Sequence, residues 1–317
     1  LIFAGSLVTS TGSGLAVPDW PLSYGSFFPP MVGGVFYEHG HRMIAATVGF
    51  MMLVLAIWLA VKESRKWVKV LGFLGLGTVI CQGLLGGITV LFFLPTAISI
   101  SHAVLAQTFF IITILLAYAL SFEWKKRFDN PIEYTDQSWL TRRALFKYAA
   151  AFCVIIYVQL ILGALMRHTD SGLAIPDFPK IGGRWIPFFG SDLLDKINSL
   201  RFDLLLDPVQ MNQIVIHFCH RMFAFAVVAG TLLLTLKAFR TAHVPRSVLR
   251  LAVFIDLIIF LQIIFGAWTV LSVKSPYIAS THVLLGAFLL GLSVLLALRI
   301  FPFEVAFKDP AVYKAAS

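Results

Sequence analysis

The chain has 317 residues, 59% hydrophobic and only 13% charged, with a mean hydropathy of +0.87. Soluble domains carry about 25% charged residues, so this composition excludes a water-soluble globular protein and makes the chain an integral membrane protein. The net charge of +9 reads as basic inner loops; no run of Lys and Arg interleaved with aromatics forms a nucleic-acid face, and no nucleic-acid partner is expected.

A spanning helix needs about 20 apolar residues. Residues 1–9 read as the last part of a first such helix, cut short at Leu1. Further spans are predicted near 36–61, 67–92, 98–122, 145–166, 211–236, 248–271 and 278–301. Eight transmembrane helices are therefore expected, in an all-α fold. Lys62, Arg65, Lys66 and Lys69 fall in one connection, Lys125, Lys126, Arg127, Arg142 and Arg143 in a second, and Lys237, Arg240 and Arg246 in a third. Residues 10–35 and the turn near Pro95 carry no Lys or Arg. The positive-inside rule places both termini and the basic connections in the cytoplasm and the two long loops outside. Cys81, Cys153 and Cys219 lie in apolar runs and read as small buried hydrophobes. Cys219-His220 is not the C-x-x-C-H pattern of covalent heme attachment.

The chain repeats itself. "SGLAVPDWP" at 13–21 returns as "SGLAIPDFP" at 171–179, "GGITV" at 86–90 as "GAWTV" at 266–270, and "SHAVL" at 101–105 as "THVLL" at 281–285. The offset grows from 158 to 180, so the second copy has the longer outer loop. Each copy has four helices, an even number, so both share one orientation. The expectation is two tandem four-helix bundles related by a pseudo-twofold axis along the membrane normal. They comprise residues 1–122 and 145–317, joined by a cytoplasmic linker at 123–144.

Four histidines fall in repeat-equivalent pairs, His41 with His220 and His102 with His282. Each is placed in the first turn or two of a helix starting at the outer side, on the second and fourth helices of its copy. Ionisable groups inside a membrane are costly and mark functional sites. Imidazoles on facing helices are a standard way to hold heme iron. Zinc would want three or four ligands per site. A di-iron carboxylate centre would want several Glu residues, whereas the only acids well inside the spans are Glu38 and Asp256. One heme-sized pocket per bundle is expected. Gly83, Gly86, Gly87 and Gly266 would let a flat macrocycle approach, or serve helix packing equally well. Arg42 and Arg221 follow the ligands and could pair with heme propionates or anchor the interface. Gln82 and Gln262 read as interhelical glue and Asp256 as a local structural residue. Three places before the repeated His, one copy has Glu38 and the other His217. Glu38 and His41, at i and i+3, share a helix face.

The eight helices, tandem bundles, "TGSGLAVPDWP" loop, "E-x-x-H-R" motif and four matched histidines resemble the heme A synthase family over essentially the whole chain. The resemblance implies oxidation of the C8 methyl group of heme O to a formyl group by successive hydroxylation, for terminal oxidase biogenesis. It implies a heme b cofactor on His220 and His282, the substrate heme O on His41 and His102, and a catalytic Glu38. A carboxylate there could accept protons or stabilise positive charge developing at the oxidised carbon. A heme O synthase and terminal oxidase assembly factors become candidate partners, and a prokaryotic plasma membrane the expected location. Many family members carry a cysteine pair in the first outer loop, and residues 10–35 have none. His39, facing away from the Glu38–His41 stripe, and His168 and His243, in loops, receive no role. A di-heme b-type membrane cytochrome that only carries electrons, or a duplicated transporter with structural polar residues, are the competing readings. Only the enzyme needs Glu38 in one copy alone.

Overall fold

The computed structural model describes residues 1–129 and 136–301. The expected linker's residues 130–135 and the tail 302–317 of the second unit lie outside the described residues. Everything described is helix or connection: α1 (Ile2–Ser10), α2 (Gly34–Lys62), α3 (Lys66–Leu91), α4 (Thr96–Ala119), α5 (Phe122–Asp129), α6 (Asp136–His168), α7 (Ser191–Asp203), α8 (Met211–Arg240), α9 (Arg246–Leu271) and α10 (Pro276–Ile300). Seven of these helices are long and apolar enough to cross a bilayer, namely α2, α3, α4, α6, α8, α9 and α10. The first helix is present over nine residues, shorter than a span.

Local chemistry sets the ends. Pro95 and Pro245 stand at the N-caps of α4 and α9, and Pro276 opens α10, where the missing N–H costs nothing. Helix α8 starts with a reciprocal Gln210–Gln213 capping box. Beyond α2, the Arg65 side chain and backbone hold Glu63, whose carboxyl falls to about 2.

Sequential packing runs α1–α2–α3–α4 and, later, α6–α8–α9–α10. Between these sets α1 packs on α10, and α4 on both α6 and α10. Helix α10 is thus the common neighbour, and 56% of its apolar window is buried, against 17–28% for the other spans. Its Leu289, Leu290, Leu296 and Ile300 join Phe152, Ile156 and Ile255 in the largest apolar core. At the opposite end from the long loops, Arg142 donates to the carbonyls of Arg299 and Ile300, and Arg299 pairs with Glu123 at 2.7 Å.

Several expectations change. The connection at 123–144 was read as a linker, yet α5 and the start of α6 make most of its described part helical. The long loop 167–210 contains α7, an amphipathic helix burying Leu193 and Ile197. His168 is the last residue of α6, not a loop residue. Cys81 and Cys219 are exposed on helix surfaces and Cys153 is half-buried; all three are free thiols. In a lipid-facing helix an apolar side chain needs no protein partner, so an apolar run does not say which residues turn inward.

Candidate functional site

The four matched histidines converge in two pairs. His41 on α2 lies near enough to His102 on α4 to feel its charge, and His220 on α8 near enough to His282 on α10. His220 is the tenth residue of its helix, a turn deeper than expected from the sequence. Each imidazole rests on a glycine of the neighbouring helix. A Cβ on Gly5 would lie 2.8 Å from Cε1 of His41, and one on Gly86 3.3 Å from that of His102. The second pair repeats this, with Gly163 at 3.3 Å from Cε1 of His220 and Gly266 at 3.0 Å from that of His282. Gln82 donates to the carbonyl of His102 at 2.8 Å and Gln159 to that of His220 at 3.1 Å, bracing the helices that carry the imidazoles. The Nδ1 atoms of His41, His102 and His282 are buried without a partner. Among the described residues no three His, Cys, Asp or Glu side chains gather as a metal-ion site. The ring nitrogens of His220 face Gln159 Nε2 at 3.3 and 3.4 Å; paired imidazoles, three of the four with an unpartnered Nδ1, in backbone-thin surroundings are a donor set that fits an iron porphyrin.

Beside each pair a loop is tethered to the helix. Glu38 is 4% exposed. One carboxylate oxygen accepts the N–H of Val17 at 2.8 Å and the other accepts Arg42 Nη2 at 2.6 Å. Arg42 also donates to the carbonyls of Val17, Asp19 and Leu22. In the second copy His217 takes the place of Glu38. Its Nδ1 faces the N–H of Ile175 at 3.2 Å and its Nε2 faces Arg221 Nε at 3.1 Å. Arg221 donates to the carbonyls of Ile175, Asp177 and Lys180. Asp19 and Asp177 shape the loop tips, each accepting two backbone N–H groups. The N–H groups of Gly25 and Tyr24 hold the Asp19 carboxyl below the usual range. Arg42 and Arg221, read as propionate partners or interface anchors, thus each tie a loop to a helix.

The family described as cytochrome oxidase assembly protein, COX15-CtaA, matches residues 32–294, which include all four histidines and Glu38. The chain belongs to this family. It is 30% identical to a heme A synthase of Halalkalibacterium halodurans, across 90% of this chain and 87% of that one. A heme A synthase of Lysinibacillus sphaericus is 29% identical across 92% and 88% of the two chains. One from Rickettsia prowazekii is 25% identical across 93% and 92%. As a member of the COX15-CtaA family, the protein carries its matched histidines and its single Glu38 in a helix-and-loop frame built twice.

Other polar residues fall where the sequence reading left them or gain a place. Asp256 accepts Thr231 Oγ1 at 2.6 Å, a bridge from α9 to α8. His39 is buried, with Nδ1 2.8 Å from Ser23 Oγ. Its repeat counterpart is Phe218, packed on the apolar cluster that holds Ile181, the counterpart of Ser23. Gly5 and Gly163 went unnoticed in the sequence. The signal was available: they stand 158 residues apart, the offset of the "SGLA" repeat.

Proposed function

We propose that this protein is a heme A synthase, oxidising the C8 methyl group of heme O to a formyl group by successive hydroxylation and loss of water from the resulting gem-diol. His41 and His102 hold the substrate heme. His220 and His282 hold heme b, which when bound supplies a one-electron carrier. The observation that carries this reading is the difference inside the repeat. Both copies present a paired-imidazole site with a loop tethered beside it, but only the first has a carboxylate one turn from its ligand. Glu38 accepts a proton from, or stabilises charge at, the carbon being oxidised, with Arg42 as its counter-ion. His217 keeps the tether in the second copy and supplies no acid there.

In this reading the architecture is two four-helix units, 1–122 and 145–317, on a pseudo-twofold axis along the membrane normal. The matched helix order and the four Gly–His contacts support it. Both termini face the cytoplasm of a prokaryotic plasma membrane and both heme sites lie near the outer face, as the Lys and Arg distribution favours. Heme O is poorly soluble, which favours direct supply by a heme O synthase and delivery toward oxidase assembly factors.

The test is extraction and mass analysis of heme from protein expressed with and without a heme O synthase. Heme b alone without it, and heme O, its C8 alcohol and heme A with it, is the expected result. Heme b alone under both conditions, in folded protein, would replace this reading with the electron-carrying di-heme cytochrome. That second reading draws on the tether itself, since Glu38 already has a structural use.

A further inference from the structure

Arg167 is the next-to-last residue of α6 and sits in the half of the chain opposite the first imidazole pair. Its guanidinium is held by protein groups rather than left in the interface. It reaches across to α1. Nη1 donates to Ser6 Oγ at 3.0 Å, and Nη2 donates to Ser6 O at 2.6 Å and Ser10 Oγ at 2.7 Å. All these partners are neutral, and the Nε–H has none among the described residues. Arg42, Arg65 and Arg299 each face a carboxylate; Arg167, partly buried at the end of a membrane-spanning helix, does not.

Its position is specific to the first site. Ser6 follows Gly5, the residue on which the His41 ring rests. The adjacent His168 lies close enough to His102 to feel its charge. Arg167 thus reaches the residue next to the one on which His41 rests, and His168 lies on the side of His102. Helix α1 packs on α2 and α10, and α4 on α3, α6 and α10, so the end of α6 lies beside the flank between α1 and α4. The repeat offers no equivalent at the second pair, because Thr9 and Ser10 stand where Arg167 and His168 would be.

We propose that Arg167, with His168 beside it, is the carboxylate-binding end of the first heme site and takes a propionate of the porphyrin held at His41 and His102. This rests on the reading of that pair as the substrate site. Nη1 makes one bond and Nε none among the described residues, so N–H groups of a fixed positive charge remain to donate to a carboxylate oxygen. Pinned by α1 through three hydrogen bonds, the guanidinium loses little freedom on binding. Arg42 is already paired with Glu38 and Arg221 stands beside His217 in the second copy, which leaves Arg167 as a cation near the first pair that faces no carboxylate among the described residues. A substrate that must enter and leave gains orientation from such a contact.

The experiment is absorbance titration of the purified full chain with heme O and with heme O dimethyl ester, in wild type, Arg167→Gln and Arg167→Lys. Wild type is expected to bind the acid about tenfold or more tighter than the ester, the effect of one charge-assisted hydrogen bond. Arg167→Gln loses that discrimination by weakening the acid alone, and Arg167→Lys keeps part of it. The midpoint potential of the heme at the first pair falls in Arg167→Gln, because a positive charge favouring the reduced iron is gone. Equal weakening of acid and ester in Arg167→Gln would make the residue only a clamp on α1 and overturn the proposal. So would an acid preference undiminished in the variant. Should Arg167→Gln not fold, absence of any acid preference in wild type is by itself enough to reject the proposal. The parent reading fails separately, if heme O still binds with the same spectrum after His41→Ala and His102→Ala.

Discussion

Replacing Glu38 separates two uses of one carboxylate. Glu38→Ala removes a buried ion pair at 2.6 Å and the acceptor for the Val17 N–H at 2.8 Å. Breaking a buried pair by deleting one partner costs about 3–5 kcal/mol, and an orphaned buried N–H about 1–3 kcal/mol. Arg42 keeps three loop carbonyls, so the charge is not stranded, and a total near the lower figure, about 3 kcal/mol, is expected. That energy is local to loop 13–33 and would loosen it by itself. Glu38→Gln is the sharper change. Its amide oxygen can still accept one of the two donors, so the loop stays docked, but the charge and the proton-accepting group are gone. The expected result is loss of heme A and of the C8 alcohol in both variants, with heme at His220 and His282 retained. Amide exchange in 13–33 speeds up strongly in Glu38→Ala and little in Glu38→Gln. Heme A production by Glu38→Gln at the wild-type rate would show that the carboxylate only holds the loop, and the chemical role argued for it would be wrong.

Other expectations follow from the same geometry. His220→Ala or His282→Ala should lower heme b content, and an unchanged heme spectrum would break the ligand assignment. Gly5→Ala drives a methyl to 2.8 Å from the His41 ring and should depress turnover at constant heme b, whereas Gly266→Ala, at 3.0 Å from His282, should loosen heme b; identical effects of the two on heme b would contradict separate sites. His217→Glu offers two acceptors to the two donors that now face one imidazole, and should slow exchange of the Ile175 amide several-fold; faster exchange would refute that account of the tether. In wild type, amides of 13–33 should exchange faster than those of 171–182, and the reverse order would remove the distinction between the two loops.

The helices were legible because crossing a bilayer demands about 20 consecutive, mostly apolar residues, which a sequence displays directly. The repeat was legible because its motifs are short and dense. The pairing of the histidines followed from the repeat: His41 and His102 are far apart in sequence, yet their counterparts keep the same relation. What the sequence concealed was of another kind. Arg42 reaches carbonyls at Val17, Asp19 and Leu22, and Arg221 reaches Ile175, Asp177 and Lys180. A backbone carbonyl has no signature in a residue list, so neither propionate pairing nor interface anchoring, the two uses read for these arginines, includes the loop tether. Helix α7 was hidden for a different reason: its apolar stripe of Leu193, Leu194 and Ile197 is too short and too mixed with charge to stand out beside membrane helices.

The two loops share a backbone plan and differ in what lies under them. Beneath 171–182, Ala174, Ile175 and Ile181 join Leu193 and Ile197 of α7 with Val209 and Ile214 in one closed apolar cluster. Burying a single large apolar side chain is worth about 1.5–3 kcal/mol, so lifting this loop exposes several such contributions together. Under 13–33 the matching contacts are polar: Ser23 meets His39 where Ile181 meets the Phe218 cluster, and Glu38 meets Arg42 and Val17. Leu15 is 42% exposed where its counterpart Leu173 is 7% exposed. Hydrogen bonds exchanged for bonds to water cost only about 0.5–1.5 kcal/mol each on balance. Opening the first loop is therefore cheaper than opening the second. A site that releases its heme after each turnover requires the first kind of cover; a site that keeps its heme is served by the second. The repeat difference at Glu38 and His217 thus belongs to a wider asymmetry, in which substitutions at Ser23, His39 and Leu15 act in the same direction.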